Sequence, residues 1–142
     1  MKKFLAAISA AGFLISGCGE TPQKNSLTIQ VNGKIFSATL ENNPTARAFA
    51  EMFPLEANMT ELNGNEKYFY LDKDLPSDSV SVKQIHAGDL MLFGSNCVVL
   101  FYKNFSTGYS YTRLGKLDNP ADLEKIFGCR VVRRDYRHAH CQ

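Results

Sequence analysis

The stretch Leu-Thr-Ile-Gln-Val-Asn-Gly-Lys-Ile-Phe-Ser-Ala-Thr-Leu, residues 27–40, contains the strongest indication of fold in this chain. Apolar and polar side chains alternate through residues 27–31, which is the pattern of a half-buried β-strand. Asn32 and Gly33 follow, and both residue types accept the positive φ angles of a two-residue hairpin turn. A second alternating run occupies residues 34–40, so the sequence predicts an antiparallel hairpin.

Beyond the hairpin, the sequence predicts further short strands and two short helices. Each helix follows an Asn-Pro pair, in which asparagine caps the helix and proline fits its first turn. The helices are predicted over residues 45–52 and 121–127, and the strands over residues 55–62, 82–86, 89–93, 97–103 and 110–117. Many short strands favour a closed or nearly closed barrel, because closure removes exposed sheet edges.

The amino-terminal residues have the pattern of a bacterial lipoprotein signal. Lys2 and Lys3 precede an apolar run, residues 4–15, that is too short to span a bilayer as a permanent helix. Small residues then stand directly before Cys18. The pattern predicts that the Cys18 thiol takes a diacylglyceryl group and becomes the new N-terminus after cleavage. A plain secretory signal with an incidental cysteine is the alternative.

This processing divides the chain into four parts. They are a signal peptide (1–17), a lipidated cysteine with a polar tether (18–26), a barrel domain (27–128) and a basic tail (129–142). Several acyl chains anchor a protein firmly, so the predicted partner of Cys18 is the membrane. Gly19 after the cysteine, rather than aspartate, predicts the periplasmic face of the outer membrane.

Charge and motifs exclude several functions. Residues 18–128 carry 10 basic and 13 acidic side chains, which gives no electrostatic footprint for nucleic acid. The chain contains no phosphate loop, no Gly-x-Ser-x-Gly elbow and no His-Glu-x-x-His motif, so no cofactor is predicted and the catalytic residues are unknown. Cys129 and Cys141 can pair in an oxidising compartment, but the tail matches no standard metal motif, and no metal site is predicted.

Four motifs occur in a recognisable order. They are Asn-Pro-Thr-Ala-Arg-Ala-Phe (43–49), Glu-Leu-Asn-Gly-Asn-Glu-Lys-Tyr (61–68), Gly-Asp-Leu-Met-Leu-Phe-Gly (88–94), and Leu-Phe-Tyr-Lys (100–103) with Tyr-Ser-Tyr-Thr-Arg-Leu-Gly (109–115). Together they resemble the bacterial cyclophilin-like-fold family, whose members are small domains that also occur behind lipoprotein signals. The resemblance implies a mainly β fold, a compact cyclophilin-like β-barrel with two short flanking helices.

The resemblance supplies no settled activity. Prolyl isomerases of the cyclophilin type carry Phe-His-Arg, Gln-Gly-Gly and Asn-Gly-Ser-Gln-Phe-Phe motifs, and none of these strings occurs in the chain. The sequence therefore favours a module that binds a peptide or a small molecule. A weak peptidyl-prolyl isomerase, in which a guanidinium bonds the prolyl nitrogen, and a structural envelope protein are the alternatives.

Six residues are candidates for ligand binding. The first is Arg47 in the first predicted helix, where a guanidinium can hold a carbonyl or carboxylate as a planar fork. The alternative role of Arg47 is a surface ion pair with Glu51, four residues further on. The full set is Arg47, Asn63, Asn65, Tyr68, Tyr111 and Arg113.

The other candidates come from one loop and one strand. The amides of Asn63 and Asn65 and the phenol of Tyr68 can orient a peptide-like ligand, although Asn-Gly-Asn is also ordinary turn chemistry. Tyr111 and Arg113 are two residues apart and share one strand face. That face is either a small binding platform or a half-buried cover of the core.

Overall fold

A strongly curled antiparallel sheet of ten strands dominates the structure, a computed structural model that describes residues 3–7 and 25–127. The predicted lipidation site Cys18 lies outside the described residues, as do most of the tether and the whole basic tail. The strands are β1 Lys3–Ala7, β2 Ser26–Val31, β3 Lys34–Leu40, β4 Leu55–Asn58, β5 Thr60–Leu62, β6 Glu66–Tyr70, β7 Val80–Ser81, β8 Gln84–Ile85, β9 Asp89–Phe93, β10 Cys97–Phe101, β11 Phe105–Ser106 and β12 Ser110–Leu117; the helices are α1 Pro44–Ala50 and α2 Leu123–Phe127.

The predicted hairpin is confirmed as β2 and β3. The two strands pair from Ser26 opposite Thr39 to Val31 opposite Lys34. At the turn, Asn32 has a φ of 49° and Gly33 a φ of 81°. Both angles are positive, as expected for these residue types in a two-residue hairpin turn.

The helix α1 is capped as its sequence predicts. The Ala46 amide donates to Asn43 Oδ1 at 2.7 Å, and Pro44 occupies the first turn. The side-chain nitrogen of Asn43, Nδ2, also donates to the Arg113 carbonyl at 2.8 Å, and this bond fixes the start of α1 against β12. The second predicted helix is shorter than expected, because residues 121–122 form a turn before α2 begins.

The two end strands of the sheet, β4 and β5, are consecutive in the chain. The strand order is β4-β1-β2-β3-β12-β9-β10-β6-β5, and β7 pairs with β12 outside this path. In the chain, only Met59 separates β4 from β5. The predicted strand over residues 55–62 is therefore two short strands that join opposite ends of the sheet. The sheet is strongly curled into a half-barrel, which confirms the expectation of a mainly β, cyclophilin-like domain.

β1 lies between β2 and β4. Its register places Phe4 opposite both Val31 and Ala57. These residues fall within the predicted signal peptide, which remains a prediction. Its cleavage would remove this strand from the sheet.

The strand predicted over residues 82–86 is replaced by the separate short strands β7 and β8. Between them Lys83 has a φ of 59°, a left-handed conformation that interrupts an extended strand. β8 pairs with β11 in a small second sheet.

Two apolar clusters pack on opposite faces of the central strands. The larger includes Leu27, Leu92 and Leu100. The smaller contains Met91, Val99 and other residues of alternate positions in β9 and β10, together with Tyr111. Within the described residues, no helix is long and apolar enough to cross a bilayer.

Candidate functional site

A cavity of about 470 Å³ opens on the face of the sheet that carries the smaller apolar cluster. Its floor is formed by Cys97 and Val99 of β10. The turn at residues 62–65 and the segment 105–109 form its rim. This volume falls in the range of small-molecule sites, which are typically about 300–1,000 Å³.

Alternation along β6 directs three side chains toward the cavity. Glu66, Tyr68 and Tyr70 line it, while Lys67 and Phe69 point to the other face. The Tyr68 and Tyr70 rings meet edge to face with centroids 5.8 Å apart. β6 thus supplies both a carboxyl group and an aromatic wall.

A second aromatic wall comes from β9, β12 and the segment before β12. The Phe93 ring lies 6.0 Å from the Tyr109 ring and 5.6 Å from the Tyr111 ring, centroid to centroid. Tyr111 is buried and packs edge to face on Phe101, while Tyr109 is 64% exposed at the rim. The cavity therefore has a fixed inner ring and an accessible outer one.

Of the cavity-lining residues that the structure describes, Glu66 is the one with a charged side chain. It is 9% exposed, and within residues 25–127 its carboxylate has neither a hydrogen bond nor an ion pair. Burial, and secondarily the nearby Glu61, raise the pKa of Glu66 above its ordinary value. Glu61 itself is partnered: its carboxylate lies 2.7 Å from Lys67 Nζ and accepts the Tyr102 hydroxyl at 2.7 Å.

Asn65 contributes a second acceptor without a partner. Its Oδ1 is buried and has no hydrogen bond, although the Asn65 main-chain carbonyl accepts the Tyr102 amide at 3.0 Å. Asn63 and Gly64 have φ angles of 56° and 68°, so turn geometry accounts for the Asn-Gly pair. The side chain of Asn65 is left without such an explanation.

The structure brings together four of the six predicted ligand-binding residues. Asn63, Asn65, Tyr68 and Tyr111 all line the cavity, and the two arginines do not. The cavity also takes in Glu66, Tyr70, Phe93, Phe105 and Tyr109, which were outside the predicted set. Period-two alternation from Tyr68 could have identified Glu66 and Tyr70, whereas Phe93 and Phe105 reach the cavity through long-range strand pairing.

Arg47 and Arg113 lie elsewhere on the surface. Arg47 is exposed, and its Nη1 donates to Asn42 Oδ1 at 2.9 Å. The planar fork on a ligand carbonyl or carboxylate stays a prediction, and within residues 25–127 the alternative ion pair between Arg47 and Glu51 is not formed. Arg113 is exposed beside α1, where its carbonyl accepts from Asn43.

Cys97 and the titratable groups around it give no metal site. Cys97 is a free, buried thiol, and burial followed by the Glu66 charge raises its pKa. Within the described part of the chain, no group of three or more His, Cys, Asp or Glu residues could hold a metal ion. The cavity is an aromatic pocket with polar acceptors.

A curled, mainly β sheet with two short helices defines the class of cyclophilin-like domains. The model of the cyclophilin-like family matches residues 29–132, and the chain belongs to this family. The match covers nearly the same stretch as the resemblance carried by the four motifs. No curated protein and no solved structure matches the chain.

Proposed function

We propose that this chain is a lipid-anchored binding module that takes a small molecule or a peptide side chain into the aromatic cavity. The observation that carries the proposal is the cavity itself, which has a size suited to such ligands and two aromatic walls. Ligand sites are generally concave, largely apolar and equipped with a few polar groups that orient the ligand. Glu66 and Asn65 supply such groups here.

The anchoring half of the proposal is supported by the sequence. The order of positive charge, short apolar run, small residues and Cys18 is that of a lipoprotein signal. Gly19 supports retention at the periplasmic face of the outer membrane. A polar tether would then separate the lipid from the domain.

The isomerase alternative gains no support from the site. It assigns the guanidinium of Arg47 to the prolyl nitrogen, yet Arg47 lies outside the cavity and bonds Asn42. Arg113 is likewise outside the lining. Binding without chemistry is the function that this geometry favours.

Ligand binding is tested with phenol as a neutral aromatic probe. Titrated into the ¹⁵N-labelled full chain in non-ionic detergent, phenol should shift the amide signals of Asn65, Tyr68 and Tyr111. Tyr109→Ala should weaken this binding about fivefold, since one edge-to-face ring contact contributes about 1 kcal/mol. Tyr109 is 64% exposed, so its truncation leaves the fold intact.

The matched control is Ile35→Ala on β3, because Ile35 is 66% exposed and lies outside the cavity. This variant should bind phenol as the unmodified chain does. Equal weakening by the two substitutions, or the absence of shifts around the cavity, would contradict the proposed site.

Anchoring is tested by the mass of the amino-terminal peptide of the protein isolated from bacterial membranes. The peptide should begin at Cys18 and carry diacylglycerol, and Cys18→Ser should remove both features. A mature N-terminus elsewhere, or an unmodified thiol at Cys18, would contradict lipid anchoring.

A further inference from the structure

The cavity contains a negatively charged side chain, Glu66, that no positively charged group within residues 25–127 neutralises. Glu66 lines the cavity, is nine-tenths buried and has no partner within residues 25–127. Burial of a carboxylate without a partner is costly, so such groups are normally paired with a cation or a donor. The lysine next to it in the chain, Lys67, points to the opposite sheet face and pairs with Glu61.

The hydrogen-bonding groups of the lining also favour a positively charged ligand. Among the described residues, the lining contains no lysine, arginine or histidine. Beside Glu66 in the chain, the Asn65 side chain presents an oxygen that accepts no hydrogen bond. The Glu66 carboxylate of the lining is therefore an acceptor without a donor within residues 25–127, and a positively charged group with N–H bonds would complement it.

The two aromatic walls of the cavity also favour a positively charged ligand. Tyr68 and Tyr70 stand on one side of the cavity, and Phe93, Tyr109 and Tyr111 on the other. Aromatic faces attract cations through the ring quadrupole, and their apolar surface also accepts the hydrocarbon part of an amine. An anionic ligand would meet the Glu66 carboxylate, and no described residue of the lining would supply a compensating positive charge.

We propose that the cavity binds the ammonium group of an organic amine, with Glu66 as the counter-charge. The inference rests on the proposed binding function and names the ligand class of that site. The ammonium donates to the Glu66 carboxylate, and its hydrocarbon part packs between the Tyr68 and Tyr111 walls. A free amine and the side chain of a lysine residue in a peptide present the same chemistry.

The test compares benzylammonium with benzyl alcohol, which has nearly the same shape without the charge. Both are titrated into the ¹⁵N-labelled full chain in non-ionic detergent. Benzylammonium should bind at least about tenfold more tightly, because a hydrogen bond to a charged group contributes more than one between neutral groups. In Glu66→Gln this preference should disappear.

The matched control is Glu51→Gln, which removes the same charge at an exposed position outside the cavity. It should keep the full preference for benzylammonium. Equal binding of the two probes to the unmodified chain, or a preference that survives in Glu66→Gln, would overturn the ammonium inference while leaving cavity binding standing. Absence of shifts with either probe would overturn the proposed function as well.

A second arm separates the two sources of the amine. The peptide acetyl-Gly-Lys-Gly-amide is compared with its norleucine analogue, which keeps the side-chain length and lacks the charge. Binding of the lysine peptide with the same dependence on Glu66 supports a peptide ligand. Binding of benzylammonium alone supports a free amine. Failure of both cationic probes overturns the inference.

Discussion

Glu66 is a residue whose burial should destabilise the folded chain. Its pKa is raised, chiefly by burial and secondarily by Glu61, so the folded state holds the proton more tightly than the unfolded state does. The resulting stabilisation is present below the ordinary pKa of 4.5 and is lost as the pH rises through the folded-state value. A group retained at such a cost is typical of binding sites.

Glu66→Gln should therefore raise stability near pH 7. The gain should fade below pH 4.5, where the carboxyl is protonated in both states. Urea denaturation midpoints at pH 7 and at low pH measure this, with Glu51→Gln as the control for loss of an exposed charge. A lower midpoint for Glu66→Gln at pH 7 would show that the carboxylate stabilises the fold.

The side-chain amide of Asn43 holds the start of α1 against β12. Its oxygen accepts the Ala46 amide, and its nitrogen donates to the Arg113 carbonyl. Asn43→Ala should cost about 1–2 kcal/mol of unfolding free energy, since it removes the cap on Ala46 and the bond to the Arg113 carbonyl. Asn43→Asp keeps the capping oxygen and should lose less. Thermal denaturation orders the variants, and an equal loss in both would assign the effect to the β12 contact alone.

The strand β12 depends on a glycine at its irregularity. Its register against β9 shifts between Arg113 and Gly115. A Cβ on Gly115 would collide with the Thr39 carbonyl oxygen and would lie 2.9 Å from Leu40 Cα. Both atoms belong to the backbone of β3, which cannot move without breaking its pairing with β12.

Gly115→Ala should destabilise the fold by about 2 kcal/mol or more, as overpacking against backbone does. Gly108→Ala is the control, because a Cβ at Gly108 meets nothing within 4 Å. Chemical denaturation of the two variants gives the comparison. Similar midpoints would mean that β3 and β12 can separate without cost.

Elements governed by local chemistry were predictable from the sequence. The Asn32-Gly33 turn and the Asn43 cap each depend on residues within three positions. The cavity was predictable only in part, because Tyr68 and Asn65 lie together in the chain while Phe93 reaches them through two strand pairings, β9 with β10 and β10 with β6. No local pattern records which distant strand a side chain will face.

At the level of the whole molecule, β1 raises a question about the processed chain. The described members of both apolar clusters lie between residues 27 and 127, and we expect a chain that begins at Cys18 to fold around them. It would lack the strand between β2 and β4. In the chain that begins at Cys18, we therefore expect faster solvent exchange than in the full chain for two sets of amide protons. They are those on the β1 side of β2 and those of β4, Leu55–Asn58.

Hydrogen exchange of the full chain and of the chain starting at Cys18 measures this difference. Circular dichroism serves as the control for folding of the shorter chain. Unchanged protection of β2 and β4 would mean that their edges do not depend on β1, and loss of the β-sheet signal would mean that β1 is required for the fold.

All five residues of β10 are buried, three of them on the face that carries the cavity floor. Covered on both faces and paired on both edges, β10 should open only when the whole domain unfolds. We therefore expect the floor to stay in place during ligand exchange and motion to concentrate at the rim, where Tyr109 is exposed. A ligand would meet a preformed surface, and its rate of arrival would be set by diffusion past the rim, with no slow opening of the domain.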